Sequence, residues 1–220
     1  MIKTLDTDPR MACSLPKIEL CISKGSTIDL PIRFESSVWR YIPITGIEQS
    51  SPVRITAPDH DIAPRWRGIV VNVGGMAEIN TERKLDKLRD PEDYHKFDVV
   101  DANTVEINKV NAAGFGAYTS GGQIVVPAPM DLSDVTAARM QVNDADGNKL
   151  EIWTTTTGEL EVDTTNRAIR IKLTAAESAA LTWSTGVFDI ELVRTGGVVH
   201  KACAPTSTIT VVTEQTTDHE

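Results

Sequence analysis

Several short constellations in this chain carry the residue types of chemistry, and each has a local reading that competes with it. Asp144-Ala145-Asp146-Gly147-Asn148 opens like a calcium loop. Lys149 then stands where such a loop needs its glycine and Thr155 where it needs the bidentate glutamate, so a hairpin turn is the expectation. Asp59-His60-Asp61 has the types for a metal site or a proton relay, but His95, His200 and His219 show no ligand spacing around it. A loop in which the Asp side chains cap local backbone is the simpler reading. Gly114-Phe115-Gly116 and Gly121-Gly122 bracket Ala117-Tyr118-Thr119-Ser120, without the preceding strand and following helix of a phosphate cradle. Glu159 and Glu161 fall on one face of an expected strand, as a solvated face also requires.

The three cysteines, Cys13, Cys21 and Cys203, cannot all pair, and no Cys-x-x-Cys occurs. Only Lys201 stands near a thiol, so buried, inert sulfur is expected at Cys203. The expectation is a protein that is no enzyme, with no catalytic residues, no cofactor and no metal. Of the four tryptophans, Trp153 and Trp183 sit among strand residues and read as core. Trp39-Arg40-Tyr41 and Arg65-Trp66-Arg67, with Tyr118, have the aromatic and arginine composition of an interface hot spot.

The elements that must hold these residues are short strands. In Ala168–Leu173, Ile169, Ile171 and Leu173 alternate with Arg170 and Lys172, and Phe188, Ile190 and Leu192 repeat the pattern against Asp189 and Glu191. Thr174-Ala175-Ala176-Glu177 predicts a capping box and one helical turn between those strands. Asp146-Gly147 and Gly196-Gly197 predict tight hairpins. Further strands are expected at Ile18–Ile22 and Thr27–Phe34, around a turn at Lys24-Gly25. From Thr45 to Gly122 the texture changes to evenly punctuated short strands, Val53–Thr56, Gly68–Val73, Phe97–Val100 and Thr104–Ile107, which suggests a small barrel or sheet of its own. Gln123–Val126 fits either body.

Asp131–Ser133, Ala138–Val142, the run Ile169–Leu181 with Trp183, and Val187–Leu192 resemble the immunoglobulin-like module of tailed-phage baseplate and fibre-attachment proteins. The opening strand, Lys-Gly turn and second strand of that family match Ile18–Phe34. Almost a hundred residues then separate this pair from Asp131. Within the gap, Ile55–His60, Gly75–Asn80, Asp101–Ile107 and Asn111–Phe115 resemble the small β-barrel known as the first catalytic cysteine half-domain of ubiquitin-activating enzymes, with a longer Thr81–Asp93 insertion. That half-domain is a scaffold, so the likeness implies no ubiquitin chemistry, and Thr45–Gly122 holds no cysteine.

The two resemblances imply an all-β chain: an N-terminal arm (1–14), an immunoglobulin-like β-sandwich (15–44 and 123–214) interrupted by an inserted small β-barrel (45–122), and a C-terminal tail (215–220). Insertion at a loop tip is entropically cheap. They also imply a structural virion protein of a tailed phage, made in the host cytoplasm. It would act as an adaptor in tail, baseplate or neck, packed against other phage structural subunits and against copies of itself in a ring. Alternatives are a receptor- or carbohydrate-binding module of the tail and a head decoration or completion protein. The net charge of −9 over 220 residues argues against a nucleic-acid partner. No apolar run reaches the ~20 residues of a membrane-spanning helix.

Overall fold

The computed structural model describes residues 4–5, 15–88 and 90–213. Apart from Thr4 and Leu5, the expected N-terminal arm lies outside the described residues, as does the tail at 215–220. In chain order the strands are β1 (Thr4–Leu5), β2 (Glu19–Lys24), β3 (Ile28–Arg33), β4 (Glu35–Pro43), β5 (Gly46–Glu48), β6 (Val53–Thr56) and β7 (Trp66–Gly74). Three 3-10 turns, at Ala77–Ile79, Leu85–Lys87 and Pro91–Asp93, precede β8 (His95–Val99), β9 (Thr104–Ile107) and β10 (Ser120–Pro129). The chain continues through β11 (Val135–Asn143), β12 (Lys149–Thr154), β13 (Leu160–Asp163), β14 (Ala168–Leu173) and helix α1 (Ala175–Ala180). It ends with β15 (Thr185–Arg194), β16 (Val199–Lys201) and β17 (Ser207–Thr213). The fold is all-β, and none of its described helices is long and apolar enough to cross a membrane.

Two compact units form, one from the segments ending at Ser37 and starting at Pro129, the other from Val38–Ala128. The first unit is a sandwich. One sheet has the order β12-β11-β15-β17-β2, with β16 also on β15, and the other the order β13-β14-β3. Alternation places the core where the sequence puts it: Ile169, Ile171 and Leu173 of β14 pack with Phe188, Ile190 and Leu192 of β15, together with Met140 and Trp153. The opposite faces are wet and charged. Arg170 bridges Asp29 (2.7 Å) and Asp163 (3.3 Å), while Glu191 bridges Arg139 (2.6 Å) and Lys201 (3.0 Å). Such ladders across neighbouring strands fix register more than they add stability.

Local chemistry explains the connections. Gly147 (φ 86°) turns β11 into β12, and Gly196 and Gly197 (φ 83° and 79°) turn β15 into β16. The capping box starts α1: the Thr174 hydroxyl accepts from the Glu177 amide at 3.2 Å and the Glu177 carboxylate accepts from the Thr174 amide at 2.7 Å. Gly25 (φ 87°) turns β2 into β3, but the two are not a hairpin. β3 pairs with β14 in one sheet, and β2 joins β17 in the other, in parallel, the exception in an otherwise antiparallel sandwich.

The strands of the second unit follow the order β4-β10-β7-β8-β9-β6-β5, and β1 pairs with the Glu35–Ser36 end of β4, which belongs to the first unit. The expected barrel does not close, because no ladder joins its terminal strands. β4 and β5 are successive stretches of one chain, bent at Ile44-Thr45, whose amides bond Gly122 O (3.0 Å) and Thr56 O (2.9 Å) respectively. The bend thus serves one side of the sheet with its first half and the far side with its second. The unit's limits also lie outside the expected 45–122. Ile42, Ile44, Ile124 and Val126 are core residues of this unit, and Gln123–Val125 pair with Ile69–Val71 of β7, which assigns β10 to it. The longer Thr81–Asp93 insertion has a structural role: Leu85, Leu88 and the following Tyr94 cover the second face of the sheet, where Ile69, Val125 and Trp39 would otherwise meet water. Gly75 is required at its turn, since at φ +85° a Cβ would stand 2.1 Å from Ala117 O.

Candidate functional site

The Asp59-His60-Asp61 loop follows β6. Ala57 and His60 amides bond the carbonyls of Asn103 (2.8 Å) and Ala102 (3.3 Å), and the Asp59 amide bonds Asn103 Oδ1 (3.1 Å). Asp59 and Asp61 take left-handed backbone (φ 51° and 46°), which aspartate tolerates better than most residues. His60 is 2% exposed. Its Nδ1 accepts from the Ile62 amide at 3.0 Å, so Nε2 carries the proton and donates to Asp101 O at 2.8 Å. Both ring nitrogens are thereby occupied, and neither has a lone pair for a metal. Among the described residues, no group of three or more His, Cys, Asp or Glu is placed to hold one.

Arg40, on β4, closes this loop from above. Its two terminal nitrogens donate to Asp61 O and His60 O, both at 3.0 Å, and one lies 3.5 Å from the Asp61 carboxylate. The guanidinium expected at a partner interface is therefore a clamp on two carbonyls of a left-handed loop. Trp66 also departs from expectation. It is 2% exposed, its indole N–H donates to Pro127 O at 2.8 Å, and it belongs to the core of the second unit. The inward phase of β7 begins at this residue, and the flanking arginines that gave it an exposed look point elsewhere. Arg67 lies over the Tyr94 ring at 4.4 Å, a cation–π contact on the covering segment.

The remaining aromatic residues divide. Trp39 is partly buried under the same cover as Ile69 and Val125. The Tyr118 hydroxyl lies 3.3 Å from Ile44 O and 3.1 Å from Gly121 O, a latch across the bend of the sheet. Tyr41 stays at the surface, 54% exposed, and Val38 on the same strand is 62% exposed. Arg65 is exposed at a left-handed position (φ 59°). Trp39 and Arg67 thus share one packed layer through Tyr94, Arg40 belongs to the loop, and Tyr118 to the bend. The seven residues do not make a single patch.

The other candidates resolve into turns. Asp144 Oδ1 accepts from the amides of Asp146 (2.9 Å) and Asn148 (2.8 Å), and Oδ2 from the Asn148 side chain (2.9 Å). These bonds, that of the Asn148 side chain foremost, hold its carboxyl below the usual range. Glu161 pairs with Lys172 at 2.9 Å, whereas Glu159 precedes β13 and bonds the Thr154 amide and the Thr157 hydroxyl, so the two carboxylates do not converge. Gln49 holds Phe115 O (2.6 Å) and Glu78 holds the Gly116 amide (3.0 Å), which fixes the glycine-flanked turn. Burial pushes the Cys203 thiol up to about 11, and Lys201 is engaged by Asp189 and Glu191. Cys21 is exposed on β2.

Two features had no sequence signal. β1 adds to β4 in parallel, Thr4 opposite Glu35 and Leu5 opposite Ser36, although a two-residue strand has no period to detect. At one end of the sandwich, Lys24, Asp144 and Trp183 come together from three distant segments around a depression. Compared with protein-family models and with curated proteins, the chain matches none.

Proposed function

We propose that this chain is a non-enzymatic structural component of a tailed-phage virion, an adaptor in the tail, baseplate or neck that binds neighbouring subunits and copies of itself through sheet edges. The observation that carries the reading is β1: a piece of the N-terminal segment lies as an added strand on the end of β4. Strand addition gives affinity through backbone hydrogen bonds and places few demands on sequence. The other edges divide between guarded and open ones. β3 carries Pro31 in its interior, and β5 and β16 are three residues long, so these edges recruit partners poorly. β12 and β2 end the larger sheet with six residues each, and Ile152 on β12 is 45% exposed.

The likeness of the sandwich to fibre-attachment modules and of the inserted unit to a scaffold half-domain supports a static role. A place in the head as a decoration or completion protein shares the mechanism and differs in position. Mass spectrometry of purified particles tests the reading: peptides of this chain at a stoichiometry of several copies per particle support it, and their absence refutes it.

A further inference from the structure

At the end of the sandwich where β2, β11 and β17 finish and β12 and β15 begin lies an open depression of about 390 Å³, within the roughly 300–1,000 Å³ of ligand pockets. Its apolar wall includes Leu181 and the partly buried indole of Trp183, and its polar rim includes Lys24, Asp144, Thr185 and Thr213. The polar groups are not all used up by the fold. Lys24 Nζ donates to Leu181 O at 2.7 Å and makes no ion pair among the described residues, so two of its three protons are available. Asp144 Oδ2 accepts one bond and has capacity for another. Trp183 Nε1 is shielded from solvent and has no hydrogen-bond partner, in contrast with Trp66, whose N–H is bonded. A shielded donor without an acceptor is poorly satisfied as it stands.

We propose that this depression binds a single saccharide ring at the end or branch of a glycan. One cation and one anion nearly cancel, which selects against a strongly charged ligand. An indole with aliphatic neighbours suits the C–H face of a pyranose, and a rim of ammonium, carboxylate and hydroxyl groups suits its alternating hydroxyl donors and acceptors. The open shape fits a ring that remains attached to a longer chain. The site lies wholly within the sandwich unit, and the inference does not depend on the virion reading.

The test is titration of the full chain, observed by its amide and indole N–H resonances, with D-glucose, D-galactose and N-acetyl-D-glucosamine in turn, and with D-glucuronate and acetate as charged controls. The Trp183 indole signal, assigned with Trp183→Phe, shifts with at least one sugar, together with the amides of Lys24, Thr185 and Thr213. Lys24→Met and Thr213→Val each leave the spectrum folded, and loss of the Lys24 contact weakens that sugar roughly tenfold. No shift with any of the three neutral sugars, unchanged affinity in both variants, or equal shifts with glucuronate or acetate overturns the proposal.

Discussion

Excising the inserted unit is the perturbation that most exposes how the chain is built. The hydrophobic core of the sandwich draws no residue from Val38–Ala128, and the cores of the second unit draw none from outside it. The cut ends already lie close, since Met130 N bonds Phe34 O at 2.8 Å. Joining Ser37 to Pro129 through about six Gly and Ser residues replaces about 90 residues of loop; were that loop flexible, closure entropy would change by about 2 kcal/mol in favour of the shortened chain. Loss of even one large core side chain would cost about 2–5 kcal/mol, so the comparison separates independent cores from shared ones. The excised sandwich is expected to give a dispersed amide spectrum, one cooperative thermal transition, and a Tm within about 10 °C of the sandwich transition in the full chain. A collapsed spectrum or a non-cooperative transition would refute the assignment of separate cores.

Further outcomes follow from individual contacts. His60→Leu leaves the buried Ile62 amide and the part-buried Asp101 carbonyl without their partner, and should lower the urea stability of the second unit by about 1–3 kcal/mol; an unchanged midpoint would contradict the hydrogen-bond assignment. Asp29, Asp163 and Glu191 are held below their ordinary values of 3.8 and 4.5, Asp29 and Glu191 chiefly by hydrogen bonds from Arg170 and Lys201, and Asp163 by bonds from Asn166 and Arg170 that outweigh its desolvation. Each binds its proton less tightly folded than unfolded, so its contribution is complete above the ordinary value and drains away as pH falls through the depressed one. Urea midpoints of the sandwich should therefore decline below about pH 4, whereas those of the second unit already decline as pH falls below the ordinary 6.5 of His95, which burial holds lower in the folded chain. In a Cys13→Ser variant, one thiol, Cys21, should react rapidly with a maleimide and Cys203 only on unfolding; two fast thiols would contradict the burial. Ile152→Lys should reduce any self-association seen by sedimentation without shifting the thermal transition, and no change would remove β12 from the adaptor surfaces.

Much of the sandwich was legible because its signals are local. Alternation in β14 and β15, the Asp-Gly and Gly-Gly turns of the hairpins, and a Thr-x-x-Glu box each act within a few residues, and the structure places them as read. Trp66 was not legible because the flanking arginines suggest a wet surface, while burial depends on the phase of β7 against β10 and on Pro127 O, 61 residues away in the chain. The limits of the inserted unit were missed for a related reason: Ile42, Ile44, Ile124 and Val126 carry the same alternation as sandwich strands, and only pairing shows which core they enter. Closure of the barrel was over-read, because short, evenly spaced strands specify a curled sheet without specifying whether its ends bond. Parallel pairing of β2 with β17 leaves no mark on either strand, and the convergence of Lys24, Asp144 and Trp183 is a product of the fold alone.

Electron cryomicroscopy of the particle that carries this chain tests the adaptor role most directly. The proposed role predicts density for the sandwich in a repeated tail, baseplate or neck position, with a neighbour's segment or strand lying on β4, β12 or β2. Particles complete without such density, or with every one of these edges facing open solvent, would contradict it.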